Sequence, residues 1–181
     1  MVIHSPQSVP YCASLAYYMG GAADIRHCNR ALIGRGVLLT VPVEGGSRSL
    51  KRLEHACVGR AEARAALRSP RISLHGDWPR VHLGALEAVY GRAPFFAHYF
   101  PAVSGIIADP PESLFGLNAA IDAEIRRALR LEVLAPELRS PSEAVVAEAK
   151  RLRAQSDPAL SMLDALFRLG PEAIFLLVEA F

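Results

Sequence analysis

The stretch WPRVHLGALEAVYGRAPFF, residues 78–96, decides how the rest of the chain is interpreted. Its apolar positions recur at helical spacing, and Trp78 and His82 stand one turn apart on the same face. Gly91 supplies a signal that ends a helix. The stretch therefore predicts one amphipathic helix that carries Trp78, His82 and Tyr90.

Upstream of this helix, two apolar runs flank a short connection that contains glycines. Residues 29–33 and 37–43 are separated by Gly-Arg-Gly at 34–36, where glycine allows the positive φ of a tight turn. This pattern predicts a β-hairpin. Apolar and polar residues also alternate at 72–74, which predicts a short strand, and a first strand is predicted at residues 2–3.

Downstream, serines and prolines mark the ends of helices. Ser113 and Ser142 are suitable N-caps, and Asp157-Pro158 is a typical helix start. The further predicted elements are helices at 11–19, 59–67, 114–131, 143–154 and after 171, a helical piece opened by Pro94, and a strand at 131–134. We therefore expect an α/β fold formed by one domain over residues 1–181. It would have a small mixed β-sheet in the N-terminal half, about six helices, and a helical C-terminal half.

Composition excludes several classes of function. The chain has 181 residues, of which 51% are hydrophobic and 21% charged, with a net charge of +2, values typical of a globular protein. It has no basic tract of the kind that follows a phosphate backbone, so we expect no nucleic acid partner. No apolar run is long enough to span a membrane, and no basic signal-peptide region opens the chain, so a cytoplasmic location is expected. Three cysteines without a CxxC pair indicate a reducing compartment.

Five segments in order resemble the WbqC-like family of bacterial proteins, especially its shorter members. They include the helix with its W-x3-H spacing, the Tyr and the Pro-Phe-Phe that follow it, and a helix with Asn118 at the position of a Leu-Asn pair. The other segments are HCNRALI at 27–33, LLTVPV at 38–43 and LSMLDALFRLGPEAI at 160–174. The chain departs from the family pattern by a shortening around 24–26 and by an insertion at 50–69.

The resemblance implies a role in the synthesis of bacterial surface polysaccharide of the O-antigen type. For such proteins it implies transfer of an acyl or aminoacyl group to an amino sugar, with a small-molecule substrate such as a sugar nucleotide. The alternative is a non-catalytic module that binds a ligand or assembles with a partner on the same fold. Whether the chain is an enzyme, its substrate, its cofactor and its oligomeric state stay open.

His82 is the candidate catalytic residue, because only histidine has an unperturbed pKa near physiological pH. As a general base it would activate an amine or hydroxyl group. The alternative is a buried histidine that hydrogen bonds to a backbone carbonyl.

Six further residues are candidates for substrate binding. Asn29 and Arg30 offer an amide and a planar cation suited to carboxylate or phosphate, although a structural salt bridge would use Arg30 equally well. His27 would share a strand face with Asn29. The remaining candidates are Trp78, Tyr90 and Asn118. Tyr90 belongs to an aromatic cluster whose alternative role is packing of the fold. Asn118 lies on an apolar helix face, where its alternative role is to hydrogen bond a neighbouring backbone segment.

Other chemistries have little support in the sequence. There is no HExxH, so we expect no metal site. A Cys-His nucleophile, Cys12 or Cys28 with His82, would require a proximity that the sequence does not establish. Walker A, GxGxxG and GxSxG motifs are absent, so no nucleotide cofactor is implied.

Overall fold

The structure is a computed structural model, and it describes residues 29–46, 69–131, 141–157 and 160–177. Several predicted features lie outside these ranges. They are the strand at 2–3, the helices at 11–19 and 59–67, most of the strand at 131–134, His27 and the three cysteines.

The predicted hairpin is confirmed. Strand β1, Arg30–Ile33, pairs antiparallel with strand β2, Val37–Thr40, in a register that sets Arg30 opposite Thr40. One face of the ribbon is buried, as period-two alternation requires. The second strand ends earlier than predicted, and Val43 forms an isolated bridge with Ile72 instead.

The hairpin turn distributes its unusual backbone angles differently from the prediction. Gly36 has φ 72°, but the other residue with positive φ is Arg35, at 64°. Gly34 allows a close approach instead: a Cβ there would lie 3.1 Å from Cγ1 of Val89 and 3.2 Å from Nη2 of Arg168, both tight contacts. The turn therefore packs closely against two helices.

Helices form most of the remaining described residues and confirm the α/β class with a helical C-terminal half. They are α1 (Trp78–Tyr90), α2 (Phe96–Ala108), α3 (Leu114–Ala128), α4 (Glu143–Gln155) and α5 (Met162–Leu169), followed by a 3₁₀ segment (Gly170–Leu177).

Serine caps define three of the helix starts. The hydroxyl of Ser113 accepts a hydrogen bond from the backbone N–H of Gly116, and Ser142 caps α4 in the same way, both as predicted. The predicted start at Asp157-Pro158 is wrong, because Ser161 caps α5 and the helix begins at Met162.

Two predictions in the middle of the chain need correction. The strand at 72–74 is reduced to single bridges at Arg71 and Ile72, and Leu74 is 77% exposed. Pro94 does not open α2 directly, since that helix begins at Phe96 and continues through Pro101.

Helix α2 lies at the centre of the packing. It contacts α1, α3 and α5, while α4 packs on the 3₁₀ segment. Side chains with no exposed surface form the middle of this core, including Ile33, Leu86, Val103, Ile107, Leu114, Leu117, Ile121, Leu163 and Phe167. The hairpin closes one side of the core through the buried face of β1 and β2.

Candidate functional site

His82 is buried at the inner side of α1 and is 3% exposed. Its ring packs edge-on against Trp78, with ring centroids 5.0 Å apart and planes at 68°. An imidazole N–H donates to the backbone carbonyl of Thr40, the last residue of β2. His82 therefore joins α1 to the open end of the hairpin.

The environment of His82 keeps its imidazole neutral. Burial lowers the pKa of His82 to about 4, and the hydrogen bond to Thr40 opposes this effect without cancelling it. A base with so low a pKa is almost entirely deprotonated at pH 7, but it accepts a proton only weakly.

Asn29 and Arg30 lie at the same end of the hairpin as His82. The Asn29 side-chain amide donates to the carbonyl of Val41 at 3.0 Å, so this group closes the hairpin. Arg30 lies opposite Thr40 in the strand register, and its side chain is exposed. The structure thus gathers three candidates around Thr40 and Val41, with Asn29 and His82 bonded to backbone.

Trp78 adjoins this group through its ring contact with His82, whereas Asn118 lies on α3 among core residues. Asn118 is fully buried on α3 beside Leu117 and Ile121, which belong to the core. Trp78 is 6% exposed, and its Nε1 has no hydrogen-bond partner among the described residues.

Tyr90 lies at the other end of α1, beneath the hairpin turn. Its hydroxyl accepts a hydrogen bond from the backbone N–H of Gly34 at 2.8 Å and donates to Oδ1 of Asp164 at 2.7 Å. The same Oδ1 accepts from Nε of Arg168 at 3.0 Å. Burial, the largest cause, raises the pKa of Tyr90 well above its ordinary value. Tyr90 is 1% exposed, so its hydroxyl holds the hairpin turn and Asp164 together from below the surface.

That surface is a cleft of about 580 Å³, which we name the turn cleft. It lies between the hairpin turn at Gly34–Gly36, the end of α4 and the exposed side of α5. Leu32, Leu160 and Leu176 form apolar walls, among others. Its volume is in the range of small-molecule sites, which combine apolar walls with a few polar groups.

The polar groups of the turn cleft include charges of both signs. Arg35 and Arg168 supply the positive charges, and Asp157 and Asp164 supply the negative charges. Arg35 is exposed and makes no ion pair within the part of the chain that the structure describes. Its guanidinium can therefore bind a ligand without first breaking such a pair.

A second cleft, of about 740 Å³, lies at the opposite end of the hairpin and is less suited to ligand binding. Arg71 there is within 4.0 Å of Glu44 and 3.4 Å of Glu112, and all three side chains are more than half exposed. The charge of Arg71 is compensated at the surface, where such pairs contribute little.

Sequence reasoning missed Arg35, Asp164 and Arg168. Arg35 was interpreted only as part of a turn, and the resemblance at 160–174 did not single out a polar pair. Two signals were present: an arginine between glycines in a short connection, and an Asp-x3-Arg spacing on an otherwise apolar helix.

Within the described ranges, no group of three or more His, Cys, Asp or Glu side chains is arranged to hold a metal ion. Over those same residues, no helix has both the length and the apolar character needed to cross a membrane.

Comparison with known proteins gives one match. Residues 23–155 match the sequence model of the WbqC-like protein family, a range that includes the hairpin and helices α1 to α4. No curated protein and no solved structure matches the chain significantly. Because the matched range covers well over half of its length, the chain belongs to the WbqC-like protein family.

Proposed function

We propose that this WbqC-like protein is a ligand-binding protein that holds a small polar molecule in the turn cleft. The observation that carries the proposal is the cleft itself, about 580 Å³ with apolar walls, into which Arg35, Ser156 and Arg168 bring polar groups. The resemblance to proteins of surface polysaccharide synthesis makes sugars and their phosphates the first ligands to test.

The backbone of Arg35 gives the proposal independent support. A non-glycine residue at φ 64° has a steric cost that glycine would avoid, and residues retained in such conformations concentrate at functional sites. The next residue, Gly36, shows that glycine occurs in this same turn. The left-handed backbone at Arg35 is thus a reason to test its side chain in ligand binding.

Transfer of an acyl or aminoacyl group with His82 as the general base has less support. Asn29, Arg30 and His82 do lie around the same end of the hairpin, as that hypothesis requires. However, His82 is 3% exposed and has a pKa of about 4, so its imidazole is neither accessible nor a strong base. Ligand binding without transfer is therefore the preferred function.

A thermal-shift and calorimetry screen tests the proposal. The probes are glucose, glucose 1-phosphate, glucosamine and a nucleotide sugar, each measured on the wild-type protein and on Arg35→Gly. We expect at least one probe to bind the wild type and to bind Arg35→Gly about tenfold more weakly, because the guanidinium contributes charge-assisted hydrogen bonds.

Arg80→Ala is the matched control, because Arg80 is an exposed arginine on α1 that pairs with Asp77 outside the cleft. It should bind the probe as the wild type does. The location of the site would be contradicted if Arg35→Gly and Arg80→Ala lost binding equally. It would also be contradicted if His82→Gln lost binding and Arg35→Gly retained it.

A further inference from the structure

The charge on one wall of the turn cleft is shared between Asp164 and Arg168. The two residues are one turn apart on α5, and the Arg168 side chain is 55% exposed whereas that of Asp164 is 14% exposed. The carboxylate is thus anchored below the surface, and the guanidinium extends toward the opening.

Toward the described residues, Arg168 uses only part of its hydrogen-bonding capacity. Its bond to Asp164 uses Nε alone, and its remaining N–H groups form no hydrogen bond within the described residues. A guanidinium has five N–H donors in a planar fork, so the edge beyond Nε is available to a second acceptor.

The position of Arg168 brings it to the hairpin turn. Its Nη2 is 3.2 Å from where a Cβ on Gly34 would be, and its guanidinium carbon is 6.0 Å from the centre of the Tyr90 ring. Arg35 is the next residue after Gly34 and lines the same cleft. Two permanent cations therefore flank one opening, while Asp164 compensates only one of them.

We propose that the ligand carries an anionic group, a phosphate or a carboxylate, which binds between Arg35 and Arg168 in competition with Asp164 for Arg168. This inference rests on the proposed function of the turn cleft and specifies the chemical class of its ligand. Asp164 weakens anion binding because it already satisfies part of the charge of Arg168 and repels a second anion nearby. The carboxylate of Asp157, on another wall of the cleft, also repels an anion. A cationic ligand is therefore the alternative that the test must distinguish.

The test is isothermal titration calorimetry with glucose 1-phosphate, glucose and glucosamine. The wild type should bind glucose 1-phosphate about tenfold more tightly than glucose, and Arg168→Gln should lose that preference. Asp164→Asn removes the competing charge, so it should bind glucose 1-phosphate about threefold to tenfold more tightly although it loses an ion pair. A purely structural role for Asp164 would weaken binding instead.

Asp122→Asn is the matched control. Asp122 forms the same i,i+4 ion pair with Arg126 at 2.7 Å, on α3, and neither residue lines the cleft. This variant should leave all three affinities unchanged. Three results would overturn the inference: preference of the wild type for glucosamine, equal binding of glucose and glucose 1-phosphate, or weaker binding of glucose 1-phosphate by Asp164→Asn. In each case the turn cleft would still be a binding site. If none of the probes binds the wild type, the proposed function fails together with it.

Discussion

Arg35 keeps a left-handed backbone conformation that glycine adopts without steric cost. The turn lies between two paired strands, and two successive positive φ angles match the twist of a hairpin. The steric cost of an L side chain in this region is about 1 kcal/mol. A variant without the Arg35 side chain therefore shows whether that side chain contributes to the stability of the turn or to ligand binding.

We predict that Arg35→Gly changes the free energy of unfolding by less than about 1 kcal/mol, since relief of strain offsets the entropy of glycine. Arg35→Ala keeps the strained conformation and should be less stable than Arg35→Gly by about 1 kcal/mol. Urea denaturation measures both. A loss of more than about 2 kcal/mol in Arg35→Gly would mean that the side chain stabilises the fold.

His82 gives the protein an acid-sensitive contact in its interior. The folded-state pKa of about 4 lies below the ordinary 6.5, so the unfolded chain binds the proton more tightly. The contribution of neutral His82 is complete above pH 6.5 and is lost as the pH falls toward 4.

We predict that this titration costs about 2 kcal/mol of stability between pH 7.5 and pH 5.0. Urea denaturation at both pH values should show a smaller difference for His82→Gln, which does not titrate. His98→Gln, at an exposed position on α2, is the control and should retain the wild-type difference. Equal pH dependence in His82→Gln and the wild type would contradict the lowered pKa.

For single residues, the sequence predicted the position in the fold better than the chemical role. Helical spacing put Trp78 and His82 on one inward face, and both are buried. Periodicity cannot report the desolvation that lowers the pKa of His82, because that depends on what the hairpin places over the ring. The backbone angle of Arg35 was equally hidden, since glycine is the expected residue for positive φ.

At the scale of elements, local chemistry defined most helix boundaries. The serine caps of α3 and α4 were predictable from residues adjacent in sequence. The start of α5 was not, because Asp157-Pro158 and Ser161 are both valid start signals a few residues apart. The structure uses Ser161, whose backbone N–H also donates to the carbonyl of Leu32 at 2.7 Å. Of the two local start signals, the helix therefore uses the one at Ser161, which also makes a tertiary contact with β1.

Gly170, which ends α5, is predicted to be irreplaceable. It has φ 58°, and a Cβ there would be 2.6 Å from the ring of Phe95, so Gly170→Ala should cost more than about 2 kcal/mol. Gly84→Ala is the opposite case, because Gly84 is exposed within α1 and a Cβ would meet nothing within 4 Å. That variant should gain about 0.5–1 kcal/mol. Chemical denaturation compares the two, and similar effects in both would be inconsistent with the packing at Phe95.

The Tyr90 hydroxyl connects three elements: the hairpin turn, α1 and α5. Tyr90→Phe keeps the ring contact with Phe167, whose centroid is 5.3 Å away, and removes only the hydroxyl. Because the backbone N–H of Gly34 then loses its acceptor, we expect a loss of about 1–3 kcal/mol in the free energy of unfolding. Tyr99→Phe, on α2, should cost less than about 1 kcal/mol, since no hydrogen bond of its hydroxyl occurs among the described residues. Equal losses in the two variants would contradict the bridging role of Tyr90.

At the scale of the whole molecule, the turn cleft joins parts of the chain that are distant in sequence. Gly34–Gly36 and the α5 pair Asp164 and Arg168 are separated by more than a hundred residues. Single-sequence patterns describe neighbours within a turn or a strand pair, so they predicted the hairpin and the helix but not their meeting. The location of the cleft required the packing of α1 and α5 against the turn.

An NMR titration of ¹⁵N-labelled protein with glucose 1-phosphate tests the central claim most directly. If the turn cleft is the binding site, the largest amide shifts will occur at Gly34 to Gly36 and from Asp164 to Arg168. Thr40 and His82, at the other end of the hairpin, will change little. Shifts centred on Thr40 and His82, or no shifts at any probe concentration, would contradict a binding site in the turn cleft.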